Sequence, residues 1–138
     1  MRYLLDTNTC IFLMKGNDTV LKRFIASRKH GIAISSITVA ELYYGVFNSQ
    51  HAEKNSVNLI NFFIGLDILD FDSIAAIEYG KIRAHLRKKG TLIGQMDMLI
   101  AAHAKSRNLT LVTDNVSEFE RVEELRYENW LADNRGGI

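Results

Sequence analysis

Arg2-Tyr3-Leu4-Leu5-Asp6-Thr7-Asn8-Thr9 opens the chain with three apolar residues, then an acid, then small polar residues. An apolar run this short, stopped by a carboxylate, predicts a buried strand over Tyr3–Leu5 and a helix from Thr7. Two further runs have the same character. Ile32–Ile34 ends at Ser35-Ser36, and Leu109–Val112 ends at Thr113-Asp114; Asp67–Leu69 is a weaker fourth. Helical spacing fills the intervals, over Thr7–Lys15, Thr19–Ser27, Ile37–Phe47, Ala52–Phe63, Ser73–Lys89 and Gln95–Ser106, with Gly90 as the stop of the long fifth helix. Strands alternating with helices imply an α/β fold, in which a mostly parallel central sheet of four to five strands carries helices on both faces.

The 138 residues suit one domain, expected over residues 1–132, with Asp133–Ile138 as a frayed tail. Hydrophobic residues are 47% and charged residues 24%, which excludes a disordered chain. A net charge of +1 argues against a protein that coats nucleic acid, although a balanced enzyme can keep a local basic patch. Cys10 stands alone, so no internal disulfide forms, and its apolar neighbours suit a small buried hydrophobe. No signal peptide and no membrane-length apolar stretch is read, so the expected compartment is the cytoplasm, without membrane association.

In an open parallel sheet, functional groups gather beyond the carboxyl ends of the strands. Asp6 follows the first strand and Asp114 the last, while Glu41 lies in the helix after Ile32–Ile34. Asp97 opens the helix Gln95–Ser106, with Ile100, Ala101 and Ala104 on its face, and that face must pack on the sheet. All four carboxylates can therefore point into one crevice. Each also has a local explanation. Asp6 can cap the helix at Thr7. Thr38-Val39-Ala40-Glu41 fits a capping box. Asp97 suits the positive end of a helix dipole. Asp114 and Asn115 can cap a short helix over Val116–Arg121. Capping does not require the acids to converge, however, and convergence is costly. Two carboxylates about 4 Å apart repel by about 4 kcal/mol at an effective dielectric of roughly 20, against a whole-domain stability of roughly 5–15 kcal/mol. Either some acids stay protonated or a cation sits among them. Oxygen-only ligands suit Mg²⁺ or Mn²⁺. No rival catalytic pattern competes: His30, His51, His85 and His103 have no zinc spacing, the last two suiting surface or packing roles, and no phosphate-binding glycine motif occurs.

At these residues the chain resembles a VapC-type PIN domain. The resemblance rests on Leu4-Leu5-Asp6-Thr7-Asn8, on Ser35-Ser36-Ile37-Thr38-Val39-Ala40-Glu41-Leu42-Tyr43-Tyr44-Gly45, on Ile93-Gly94-Gln95-Met96-Asp97 with Ile100-Ala101-Ala102-His103-Ala104, and on Leu111-Val112-Thr113-Asp114-Asn115-Val116-Ser117-Glu118-Phe119-Glu120-Arg121-Val122. It covers essentially the whole chain in order. It implies a three-layer fold and a divalent-metal-dependent endoribonuclease, the toxin of a type II toxin–antitoxin pair. Asp6 and Asp97 match the family's main metal positions and Glu41 its third acid. The fourth is Asp114 or Asn115, with Asp114 preferred for its charge. Thr7, Asn8, Thr113 and Asn115 match small polar positions that support the site. Gln95-Met96 departs from the proline or asparagine plus aromatic residue common before the central acid.

The resemblance further implies a structured tRNA as substrate, the initiator tRNA anticodon loop. It implies a VapB-type antitoxin that lays a C-terminal segment across the crevice and sets an Arg or Lys against the acids. Operator DNA would be reached only through that antitoxin. A homodimer or larger toxin–antitoxin assembly is expected, with Phe12, Leu13, Tyr43, Tyr44 and Phe47 divided between such contacts and the core. Lys15, Arg23, Arg83, Arg87, Lys88, Lys89, Lys105 and Arg107 are candidates for RNA contact or for solvated helix faces and ends. Three other readings fit less well. A phosphoacceptor receiver domain needs an acidic pair near the first strand, which Asp6-Thr7-Asn8 lacks. A single-strand or flap DNA nuclease needs a threading insertion, which is absent. A catalytically silent interaction module does not need all four acids.

Overall fold

The computed structural model describes residues 1–132, so the expectation of a frayed tail over Asp133–Ile138 lies outside the described residues. The five described strands are β1 (Tyr3–Leu5), β2 (Ile32–Ser35), β3 (Asp67–Leu69), β4 (Thr110–Val112) and β5 (Tyr127–Glu128). They form one sheet in the order β3-β2-β1-β4-β5, and every pair is parallel. The mostly parallel sheet expected from the sequence is therefore wholly parallel among the described residues. Its fifth strand, Tyr127–Glu128, has no apolar run to announce it and exists by pairing with Leu111 and Val112.

Period two decides which side chains go where. Leu4, Ala33 and Leu111 are in register and point to one face, into a core shared with Ile100, Ala101, Ala104 and Phe119. Tyr3, Leu5, Ile32, Ile34 and Val112 point to the other, into a core closed by Val20, Leu42, Leu59 and Trp130. The first face is covered by α5 (Ser73–Lys88), α6 (Gln95–Ser106) and α7 (Val116–Phe119). The second is covered by α1 (Thr7–Met14), α2 (Asp18–Ser27), α3 (Ser36–Phe47) and α4 (Ala52–Phe63). This is the expected three-layer arrangement.

Helix ends follow side-chain chemistry. Asp6, Asn17 and Asp72 accept backbone N–H groups at the starts of α1, α2 and α5, at 2.8–3.0 Å. The stop expected at Gly90 is present: its φ of +69° suits glycine, and its N–H bonds Arg87 O while that of Thr91 bonds Leu86 O. No described helix is long and apolar enough to cross a membrane.

Leu4 is fully buried on the central strand. Leu4→Ala is expected to cost about 2–5 kcal/mol in urea denaturation, and a cost below about 1 kcal/mol would show that this face is not the core.

Candidate active site

The strand order reverses between β1 and β4, and in such sheets the ligand crevice opens outside the carboxyl ends at that point. Asp6 leaves β1 there and Thr113-Asp114 leave β4 there. The flavodoxin-like order 2-1-3-4-5 belonging to receiver-type domains is not the order found.

Asp6 is held from several sides. Its backbone N–H bonds Val112 O at 3.0 Å, and its Oδ1 accepts the Thr9 N–H at 2.8 Å. The Thr113 hydroxyl also donates to it. Burial pushes its pKa up, the bonds from Thr113 and Thr9 pull it down, and the Asp114 charge pushes it up again. Asp6 therefore caps α1 while lying buried beside Asp114 at the carboxyl end of β1.

Glu41 lies within reach of α1, and the Thr7 hydroxyl donates to its Oε1 at 2.6 Å. The capping-box explanation of Glu41 does not hold. The N-cap of α3 is Ser35, whose Oγ accepts the Ile37 N–H at 3.0 Å. Glu41 is thus nearly two turns inside the helix, and Thr38, fully buried, does not start it. The capping explanation of Asp114 and Asn115 fails as well. Asn115 stands at the N-cap of α7 without a side-chain cap bond, and Asp114 Oδ1 is buried with no hydrogen-bond partner among the described residues.

Asp97 lies in the first turn of α6, whose N-cap is Gly94. Its Oδ2 curls back to within 3.4 Å of where a Cβ on residue 94 would sit. The helical face that carries it, Ile100, Ala101 and Ala104, is buried against the sheet as the spacing predicts. Its pKa is pushed up to about 7, first by burial, then by a hydrogen bond with Glu118, then by the charges of Glu118, Asp6 and Glu41. A hydrogen bond between two carboxyl groups requires a proton on one of them.

The structure thus links Asp97 electrostatically to Asp6, Glu41 and Glu118, and Asp6 to Asp114. Glu118 was not singled out from the sequence. It projects from the four-residue α7, and its Oε2 is buried without a partner. An acid a turn beyond a strand-end acid was its only local signal. Thr7 and Thr113 hydrogen-bond the acids, and Asn115 N–H bonds Thr113 Oγ1 at 3.0 Å, which fixes that loop. Asn8 is exposed and contributes no hydrogen bond to the cluster among the described residues.

These residues fit a hard divalent cation. The donors are carboxylate oxygens, two of them buried and unpartnered, in a field negative enough to retain a proton near neutrality. Among the described residues no group of three or more His, Cys, Asp or Glu side chains is placed closely enough to hold a metal ion unaided. Mg²⁺ suits such an arrangement, because it keeps several waters and takes only one or two carboxylates plus substrate phosphate.

A cleft of about 810 Å³ opens beside Glu41 and Thr7, between α1, α3 and α4, with Ile11, Met14, Leu42, Val46 and Phe62 as apolar walls. Lys15 is its lining cation. Three other basic candidates are engaged elsewhere: Lys89 meets Glu123 at 3.2 Å, Arg23 meets Glu128 at 3.5 Å and Lys105 approaches Glu78 at 4.0 Å, whereas Arg83 bonds the Tyr79 hydroxyl at 2.9 Å.

The family described as PIN domain matches residues 3–125. The tRNA(fMet)-specific endonuclease VapC of Salmonella typhimurium is 43% identical over 130 residues, covering 94% of this chain and 98% of that protein. Ribonuclease VapC2 of Haemophilus influenzae is 46% identical over 132 residues, covering 95% and 99%. The chain belongs to the VapC ribonucleases of the PIN-domain family. In three dimensions it is similar to VapBC2 from Rickettsia felis bound to a promoter DNA fragment, with a TM-score of 0.90 and 43% identity over 94% of this chain and 99% of that one. DNA-bound VapBC from Salmonella typhimurium gives the same TM-score of 0.90 at 44% identity. The acids above therefore stand in a nuclease fold, and PIN-domain ribonucleases generally depend on a divalent metal.

The raised Asp97 pKa has a definite consequence for stability. An unfolded aspartate releases its proton near 3.8, whereas folded Asp97 holds it up to about 7. Between those values the folded state binds more protons, so this group's contribution falls as pH rises. In EDTA the parent is expected to lose thermal stability relative to Asp97→Asn as pH rises from about 4 to about 7, with the two converging at acid pH. Parallel unfolding temperatures across the range would rule out the strained acid pair.

Proposed function

We propose that this VapC ribonuclease cuts a structured tRNA, of the initiator type, at a divalent-metal centre formed by Asp6, Asp97 and Glu118, with Glu41 and Asp114 completing it. The observation that carries this reading is the Asp97 carboxyl, pushed up to about 7 by burial and by the acids Glu118, Asp6 and Glu41 beside it, while Asp114 Oδ1 and Glu118 Oε2 are buried without partners. Mg²⁺ or Mn²⁺ bound there supplies charge neutralisation at the scissile phosphate and lowers the pKa of an attacking water. Asp6 offers a carboxylate already fixed by Thr9 and Thr113, so little ordering remains for binding. Glu41, held by Thr7, accepts or orients a proton at the mouth of the crevice. Loss of its proton readies Asp97 as a ligand, so binding and deprotonation are linked. The tRNA reading is supported by the Salmonella typhimurium relative, and an unstacked loop presents an accessible phosphodiester.

The same centre is where an antitoxin acts. The similar solved structures are VapBC complexes, two with DNA, and they support a VapB-type partner that carries the pair to operator DNA. The cleft beside Glu41 has apolar walls that suit a peptide segment better than a phosphate chain, and a cation from that segment would meet the acids. Of the apolar residues considered for partner contact, Phe12, Leu13 and Tyr43 pack against the core, while Tyr44 and Phe47 are 72% and 70% exposed. Tyr44 and Phe47 therefore serve assembly, with a second copy or with the antitoxin.

With Mg²⁺, the protein is expected to release 5′-phosphate and 3′-hydroxyl ends from total tRNA, mapped by end-ligation sequencing. Asp6→Ala and Asp97→Ala should each lose at least about 100-fold, and EDTA should abolish cutting. Parent-like cutting by both variants, or 2′,3′-cyclic phosphate ends, would overturn the mechanism. Glu118→Gln provides a separate check. It should weaken Mn²⁺ binding in calorimetry and lower the pKa of Asp97 followed by carbon NMR, and an unchanged Asp97 titration would remove Glu118 from the centre.

A further inference from the structure

Two consecutive serines start α3, and each reaches a different element. Ser35 Oγ accepts the Ile37 N–H at 3.0 Å and stands 2.8 Å from His103 Nδ1 on α6. Ser36 Oγ accepts the backbone N–H of Phe71, between β3 and α5, at 3.0 Å. The Phe71 ring then meets the His103 imidazole edge to face, with centroids 5.4 Å apart and planes at 79°. Ser35 and His103 are both fully buried. A polar junction therefore closes the carboxyl end of β2.

Its proton inventory can be completed. A hydroxyl has one proton to give. Among the described residues Ser35 Oγ has no acceptor other than His103 Nδ1. Ser35 therefore donates to Nδ1, and neutral His103 carries its own proton on Nε2, which has no polar partner. Burial pushes the imidazole pKa below its ordinary value, the nearby Asp72 and Asp70 charges oppose this, and Arg107 adds to it. An apolar side chain would leave no N–H unmatched, so packing alone does not call for histidine at this position.

Each end of the bond lies within two helical turns of an acid: Ser35 before Glu41 on α3, and His103 after Asp97 on α6. Leu42 and Val46 of α3 pack in one core, whereas Ile100, Ala101 and Ala104 of α6 pack in the other. The two helices also touch each other, with Ile37 of α3 packed against the core that holds Ile100, Ala101 and Ala104. Apolar contact is non-directional, and the Ser35–His103 bond adds a directional tie between the start of α3 and the body of α6. We propose that His103 is a positioning residue of the ribonuclease centre, which through Ser35 fixes the helix of Glu41 against the helix of Asp97. This rests on the reading of those two acids as working residues.

The test uses the full chain in four variants: His103→Leu, His103→Asn, Ser35→Ala and the Ser35→Ala/His103→Leu double variant. Each is measured well below its unfolding temperature, for RNA cleavage and for Mn²⁺ affinity without RNA. His103→Leu should keep its KM within about threefold and lose kcat by about 10- to 100-fold, with weakened Mn²⁺ binding. His103→Asn retains an acceptor near the Nδ1 position and should recover most of both. The double variant should be no worse than Ser35→Ala, because that change already removes the bond to His103 together with the α3 cap. Nitrogen NMR of the parent should show His103 neutral with its proton on Nε2. Parent-like kcat and Mn²⁺ affinity in His103→Leu, or losses that multiply in the double variant, would overturn the tie. If His103→Leu does not fold, a fifth variant decides, His103→Gln, whose amide lies at the Nε2 rather than the Nδ1 position: parent-like kcat and Mn²⁺ affinity overturn the tie, and their loss beside a parent-like His103→Asn supports it. Active Asp97→Ala would instead overturn the reading of the acids. Inactive Asp97→Ala beside parent-like His103→Leu would overturn the positioning role alone.

Discussion

Like charge held at close quarters is the constraint around which this molecule is arranged. Asp6, Asp97, Glu41, Glu118 and Asp114 come from five segments and influence one another at one edge of the sheet. The fold offsets their repulsion in three ways. Hydroxyl and amide donors from Thr7, Thr9 and Thr113 are spent on Asp6 and Glu41. Asp97 sits in the first turn of α6, where the helix dipole favours a negative charge. The remainder is relieved by the proton that Asp97 keeps up to about 7. A proton is a weak substitute for a dication, since it neutralises one charge and leaves Asp114 Oδ1 and Glu118 Oε2 without partners. A divalent cation placed among such carboxylates would offset the electrostatic cost that one proton leaves.

The same balance explains how a chain of net charge +1 can act on RNA. Arg23, Lys89 and Lys105 are matched by carboxylates, and the cleft beside Glu41 is lined mainly by apolar side chains and amides. Nothing there resembles an electrostatic funnel that would hold any polyanion. Attraction for phosphate is concentrated at the acidic centre and depends on what that centre binds. Selectivity then falls to shape and to unstacked bases, which is the regime of structured RNA. An anionic centre without its cation also attracts a cationic side chain, so a protein segment can occupy it in place of substrate.

Much of the fold could be read from the sequence because apolar period and strand-end chemistry are local signals. Tyr3–Leu5, Asp67–Leu69 and Ala52–Phe63 lie where the pattern puts them, and the acids after β1 and β4 follow from topology. What escaped is relational. Thr38 to Glu41 satisfies a capping pattern, but β2 runs straight into α3, so Ser35 takes the cap and leaves Glu41 to the site. β5 is two polar-leaning residues whose strand character comes from β4. Glu118 rides on a helix of four residues, too short to show a period, and only the fold brings it against Asp97. His103 looked like packing and is buried, but its one good bond reaches Ser35, far away in sequence.

Asp6 shows why the structural and chemical explanations of an acid need not compete. A carboxylate has two oxygens. Oδ1 is taken by the Thr9 N–H, which starts α1 and locks the side chain to the end of β1. A freely rotating aspartate would have to be ordered whenever a cation or phosphate arrived, at a cost in side-chain entropy. Here that ordering is accomplished on folding, by a bond the helix needs in any case. Asp97 follows the same logic, because the turn that suits its charge is also the one whose inward face buries Ile100, Ala101 and Ala104. A local structural role for these carboxylates is therefore also what holds them rigid at the carboxyl end of β1 and in the first turn of α6.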